Sequence, residues 1–330
     1  MRTSNIELLR IIAMFMIILH HYCNAGAAFM DIENNTINSL LLQFFTGGGK
    51  MGVDIFFIIS GYFMINSTMK IRKFLHVVYM CVFYNIAICI LMNLLGYTYP
   101  LKYYFYLVPF LFDMDTSFVS NYLLIYLISP IINAGLNNIT RKQFHLLLGT
   151  LFFYYVVQES FLFQNSFQYF GWGITCYAIG AYIRKYDIAQ MNVFRYSGVY
   201  FIAFYVLVFG LMLLVDYVPL FARIFSNPGF FITNAHKFTV IVPATLLFIA
   251  FARMNIGYHS VINKIASTSL AVLLIHANNR IQVDWLWYKL CNIEQFITTD
   301  YFILHMVFVC VLVYMVCVLI DLTRSKLLKF

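Results

Sequence analysis

Ten stretches of about 20 mostly apolar residues recur along this chain, separated by short polar segments, and that pattern restricts the fold more than any other feature. In bilayer hydrocarbon no water is present to satisfy backbone N–H and C=O groups, so an apolar run of that length must close its own hydrogen bonds as a helix. The runs fall at residues 6–23, 51–66, 74–95, 118–136, 144–163, 169–183, 196–215, 238–254, 262–281 and 302–322. The expected fold is therefore all-α: a polytopic membrane helical bundle of about ten transmembrane helices. Composition agrees, since 62% of residues are hydrophobic and only 10% charged, where a soluble domain carries about a quarter. No linker, low-complexity run or solenoid-period repeat interrupts the pattern, so residues 1–330 read as one membrane domain with no appended soluble domain. Residues 101–112 are apolar but short and contain Pro109, which suits an interfacial or re-entrant helix.

The basic residues supply an independent test. With the N-terminus in the cytoplasm and the spans alternating, fifteen Lys and Arg fall inside and six outside. The six are Lys50, Lys102, Arg223, Lys237, Arg280 and Lys289. This is the bias that orients membrane proteins, and it predicts both termini cytoplasmic. The opening also resembles a signal peptide, with an early Arg, an apolar run and the small residues Ala25, Gly26 and Ala27. Glu7 and the His20-His21 pair are foreign to such a leader, and its removal would leave an odd number of spans. We read the segment as the first span.

Several functions are excluded at this stage. The net charge of +8 lies in short clusters between apolar runs, with no basic face on a soluble fold, so nucleic acid is not an expected partner. The seven cysteines lie singly, without metal-ligand or CxxC spacing, so neither a metal site nor a redox motif is expected.

Ionisable groups inside a span are costly and usually face a cavity or a partner. The first span holds Glu7, Arg10, His20 and His21, the second Asp54, the fifth Glu159 and the ninth His276. Arg10 and His21 are eleven residues apart. At about 100° per residue they project from one helix face, about 20° out of register and ~16 Å apart along the axis. His20 is turned about 80° from that line. One face thus carries a permanent cation near the cytoplasm and a base near the outer surface, a pair suited to an elongated anionic ligand with proton chemistry at its far end. The plainer alternative also stands: Arg10 snorkels to inner headgroups and His21 hydrogen-bonds at the outer interface. Glu159 near a span end, and His76, His145, His236, His259 and His305 near span ends or in loops, read as interfacial or structural.

The second span reads Gly52-Val53-Asp54-Ile55-Phe56-Phe57-Ile58-Ile59-Ser60-Gly61-Tyr62. Asp54 and Gly61 are seven apart and share a face. Ser60-Gly61 permits close approach of another helix, which explains Gly61 better than Asp54.

These residues resemble a known family. Asn5-Ile6-Glu7-Leu8-Leu9-Arg10, with ten intervening residues before His21, is similar to the opening of the integral-membrane acyltransferase 3 family. Phe56 to Tyr62 resembles its second landmark. Tyr122 to Pro130 and Tyr177 to Arg184 resemble its middle spans, and Leu273-Leu274-Ile275-His276 resembles its late Tyr-Leu-Ile-His segment. The resemblance runs in order along nearly the whole chain. It implies transfer of an acyl group, usually acetyl, from acetyl-CoA in the cytoplasm to a hydroxyl of a surface glycan or lipid-linked glycan. It also implies a multi-pass protein among membrane lipids in a bacterial plasma membrane. On that reading Arg10 binds the donor, and His21 acts as general base or carries the acyl group itself. Asp54 orients His21, and His276 joins the site.

Two other classes compete. A flippase for anionic glycan lipids should line its cavity with several cations, and only Arg10 is buried in a span. A small-solute transporter should show matched broken helices in inverted repeats, and no such pairing occurs.

Overall fold

The computed structural model describes residues 4–27, 36–98, 118–162, 169–225, 227–278 and 282–328. Among them there is no strand. The long helices are α1 (Asn5–Gly26), α2 (Ile37–Met64), α3 (Ile71–Leu94), α4 (Phe118–Asn138), α5 (Arg141–Phe152), α6 (Tyr169–Lys185) and α7 (Ser197–Tyr217). The short α8 (Pro219–Phe225) leads to α9 (Phe238–Arg253), α10 (Ser260–Ala266), α11 (Ser269–His276) and α12 (Phe302–Leu327). π-helical stretches cover Phe153–Leu162 and Gln282–Leu290. The apolar segment at 101–112 lies outside the described residues.

Among the described residues, five helices are long and apolar enough to cross a membrane: α1, α3, α4, α7 and α12. The expected ten spans differ from this in instructive places. The second element begins fourteen residues earlier than the apolar run, because Thr36 caps it by accepting from the Ser39 N–H at 3.2 Å. That moves Lys50 from the expected outer loop into the middle of a 28-residue helix. Asp54 likewise lies well inside α2, away from its end. Gly47, Gly48, Gly49, Lys50 and Asp54 dilute the apolar run of α2. The expected fifth span changes from α5 to a π-helical stretch at Phe153. The ninth breaks between α10 and α11. There Ser267, Thr268 and Ser269 each turn a hydroxyl onto a carbonyl three residues back, at 2.7, 2.7 and 2.9 Å, offering the backbone an alternative to helix continuation.

Two apolar cores flank a seam made by α1 and α2. Ile6, Leu9 and Ala13 of α1 join one core with residues of α2, α6, α7 and α9. Met14, Ile17, Ile18, Tyr22 and Cys23 join the other with residues of α3, α11 and α12. Val53 and Phe56 of α2 pack against both. The α2–α6 contact is tight at Gly61, where a Cβ would sit 1.9 Å from the Tyr177 carbonyl oxygen, and at Gly180, where one would sit 2.0 Å from the Ile58 carbonyl oxygen. Only a residue without a side chain fits there. Asn133 of α4 ties the same corner, donating to the Met64 carbonyl at 2.7 Å and accepting from the Tyr177 hydroxyl at 2.7 Å. The start of α1 is pinned by Asn5, whose amide donates to the carbonyls of Phe251 and Met254. Its far end is pinned by the Tyr22 hydroxyl and His305 Nδ1, 2.8 Å apart.

Candidate active site

α1 is helical without interruption from Asn5 to Gly26, so the angular reading of its side chains carries over. Arg10 belongs to the half of α1 that opens the chain. Its guanidinium Nη1 donates to Glu7 Oε2 at 3.4 Å, one turn back, and its Cζ lies 6.0 Å from the centre of the Phe63 ring. The Glu7 side chain is 3% exposed and that of Arg10 27%, so the cation is the member of the pair that reaches open space. Tyr122 of α4 is close enough to feel the Arg10 charge, and Ser60 of α2 donates its hydroxyl to the Phe56 carbonyl at 2.8 Å.

At the other end of α1, three imidazoles lie in a row. The rings of His20 and His21 are 5.1 Å apart, as are those of His21 and His276. His276 is fully buried at the end of α11, while His20 and His21 are half-buried. The hydrogen bonds assign the tautomers. His276 Nδ1 is 2.5 Å from the Val272 carbonyl, which can only accept, so Nδ1 carries a proton. In the neutral ring Nε2 is then the acceptor. It lies 3.0 Å from His21 Nδ1, which must donate. His21 Nε2 is left with its lone pair, the atom a general base needs. His20 faces another way: its Nδ1 donates to the Thr46 carbonyl at 2.8 Å, and its Cβ is pressed against Gly49 of α2.

Asp54 does not join this group. Its carboxylate is fully buried, and Oδ1 accepts from Trp172 Nε1 at 2.9 Å, with Cys176 Sγ at 3.7 Å. Its expected role of orienting His21 gives way to one of tying α2 to α6. The orienting group at His21 is instead His276. Glu159 faces His236 across 4.0 Å, apart from the three imidazoles. Among the described residues no cluster of His, Cys, Asp and Glu suits a metal ion.

One basic residue near the imidazoles was assigned by sequence to an outer loop. Lys50 of α2 is half-buried, and its charge acts on His20 and His21 and on His236 in the loop before α9. Burial, and after it the charges of Lys237 and Lys50, push His236 down to about 4, so that ring is neutral at neutral pH. The signal that could have found Lys50 is the small-residue face around it, which lets one helix lie on another.

The chain matches the family model described as an acyltransferase domain, that of the acyltransferase 3 family, over residues 3–323. No curated protein and no solved structure matched it. A single model that spans nearly the whole chain, over membrane-length apolar helices, settles the relationship: the chain belongs to the acyltransferase 3 family of membrane acyltransferases.

Proposed function

We propose that this protein is an O-acyltransferase that moves an acetyl group from acetyl-CoA to a hydroxyl of a cell-surface or lipid-linked polysaccharide. The observation that carries the reading is the hydrogen bond from His21 to His276, which leaves a lone pair on His21 Nε2. That nitrogen takes the proton of the acceptor hydroxyl, whose oxygen attacks the thioester carbonyl carbon. Collapse of the tetrahedral adduct breaks the C–S bond, and the departing CoA thiolate recovers the proton from His21. His276 holds the ring and stabilises the transient imidazolium by accepting from its Nδ1–H.

Arg10 serves the other end of the donor. CoA is long and carries its phosphates far from its thioester, and ~16 Å of helix separates Arg10 from His21. The guanidinium is the exposed member of its pair with Glu7, at 27% against 3%, and its planar fork suits bidentate contact with a phosphate. In this reading residues 1–330 form one domain with ten spans in a bacterial plasma membrane. Both termini are cytoplasmic, so that Arg10 meets the cytoplasmic donor and His21 the outer-face acceptor; the bias of basic residues, fifteen inside against five outside once Lys50 is counted within α2, supports that orientation. The test is a comparison of acetyl content in surface glycan from cells with and without the protein. Loss of acetyl esters on deletion, restored by the wild-type chain, is expected. Identical acetylation with and without the protein would overturn the reading.

A further inference from the structure

Lys50 lies fourteen residues into α2, and its neighbours fix what it faces. Thr46, one turn earlier, gives its carbonyl to His20. Gly49 lies so close to α1 that a β-carbon there would come 2.1 Å from His20 Cβ. Residues three and four apart share a helix face, so Lys50 stands on the stripe that meets His20, and its charge acts on the His20 and His21 rings. Among the described residues its ammonium makes no hydrogen bond and no ion pair. Asp54, one turn further along α2, gives Oδ1 to Trp172 instead. The neighbouring cations are differently engaged. Lys237 lies 4.1 Å over the Phe230 ring and in the field of Glu159, and Arg10 is paired with Glu7 at the far end of α1. An ammonium held at this depth without a fixed anion is costly, which marks it as meeting an anion that comes and goes.

The geometry points to Lys50 as the group that stabilises the oxyanion of the transfer reaction, a role that rests on the acyltransferase reading above. As the acceptor proton passes to His21 Nε2, the new C–O bond forms and the carbonyl π pair moves onto the thioester oxygen. That oxyanion is the negative charge which develops beside His21. It disappears again when the C=O re-forms and the thiolate leaves with the proton. A cation that is unpaired before the reaction and paired at the tetrahedral stage lowers the barrier more than it tightens substrate binding.

The test uses membranes from cells carrying the wild-type chain, Lys50→Met or Lys50→Arg at matched levels. They are given radiolabelled acetyl-CoA, and label in the glycan fraction is followed. Lys50→Met should lower the maximal rate about 10²- to 10³-fold, with the KM for acetyl-CoA within about twofold of wild type. Lys50→Arg, which keeps the charge, should retain more of the rate than Lys50→Met. Protection of each purified variant against heat by desulfo-CoA should match wild type, because a folding or donor-binding defect would remove it. An unchanged maximal rate in Lys50→Met overturns the role, and so does a defect confined to KM for acetyl-CoA or to donor binding. A defect confined to KM for the glycan also overturns it, and would make Lys50 an anchor for an anionic acceptor. A wild-type chain that labels no glycan takes this role down together with the acyltransferase reading, whereas an active wild type with an active Lys50→Met removes this role alone.

Discussion

His21 Nδ1 and His276 Nε2 lie 3.0 Å apart, although 255 residues separate them in the chain. The Val272 carbonyl behind His276 makes the arrangement directional: carbonyl, Nδ1–H, Nε2, then the Nδ1–H of His21. A proton arriving at His21 Nε2 creates an imidazolium whose other N–H already has an acceptor. On the proposed reading, His276 is a positioning residue for the base.

Removal of that acceptor should slow chemistry without weakening donor binding. A hydrogen bond to a charged group contributes about 1.5–3 kcal/mol, so His276→Ala should lower kcat about 10- to 100-fold. The KM for acetyl-CoA should stay near wild type. His276→Gln can still offer an oxygen to His21 and should recover part of the rate. Acetyl transfer in nanodisc-reconstituted protein measures both, and wild-type kcat in His276→Ala would remove His276 from the site.

Arg10 has two candidate duties, donor binding and neutralising the buried Glu7. Arg10→Ala should abolish transfer or raise the KM for acetyl-CoA at least about tenfold, with Arg10→Lys a partial rescue, because an ammonium does not reproduce the guanidinium fork. The double variant Glu7→Gln with Arg10→Ala separates the duties, since it also removes the charge of the buried carboxylate. It should restore membrane yield and leave transfer impaired. Full transfer in the double variant would reduce Arg10 to the counter-ion of Glu7.

Topology is tested with reporters. Fusions at Met1 and at Phe330 should both report the cytoplasm. An extracytoplasmic signal at Phe330 would break the even span count on which the donor's side of entry depends.

The α1 half of the site was legible because one unbroken helix needs only 3.6-residue arithmetic to relate Arg10, His20 and His21. Its partners were not. Asp54 meets Trp172 across 118 residues, and His21 meets His276 across 255, and no local pattern encodes such contacts. Lys50 falls outside the second apolar run, which begins at Met51, so hydropathy alone places it in a loop with Gly47-Gly48-Gly49. In the fold the same glycines continue α2, and Gly49 lets it lie against His20. The break before α11 was readable in principle, since three consecutive hydroxyl residues, Ser267, Thr268 and Ser269, are poor helix interior.

The α2–α6 joint gives a stability prediction. Gly61→Ala places a methyl 1.9 Å from the Tyr177 carbonyl oxygen, and helix backbone cannot yield as a side chain can. Overpacking of this kind costs about 1–3 kcal/mol, so Gly61→Ala should lower the thermal midpoint of the purified protein. Gly210→Ala in α7 is the control, because no atom lies within 4 Å of its added carbon. Its midpoint should equal or exceed that of wild type. Equal midpoints for Gly61→Ala and wild type would mean that the helices are not packed at Gly61 as described.

The sharpest prediction separates two adjacent histidines. His21 stands on the Arg10 face, and its Nδ1–H is taken by His276, leaving Nε2 for an acceptor hydroxyl. His20 is turned about 80° away and gives its Nδ1–H to the Thr46 carbonyl. Thr46 lies within α2, where the amide four residues on also bonds its carbonyl, so His20→Ala strands no acceptor. His21→Ala should therefore lower transfer about 10²- to 10⁴-fold, the usual cost of a missing general base, and His20→Ala should keep most of the rate. Glycan acetylation at matched expression and membrane insertion measures both, since a folding defect would imitate a chemical one. If His20 were essential and His21 dispensable, the base would lie on the other face of α1, and the single cavity joining it to Arg10 would be wrong. If both were dispensable, the transfer mechanism itself would fail, and transport of a glycan lipid would become the better reading.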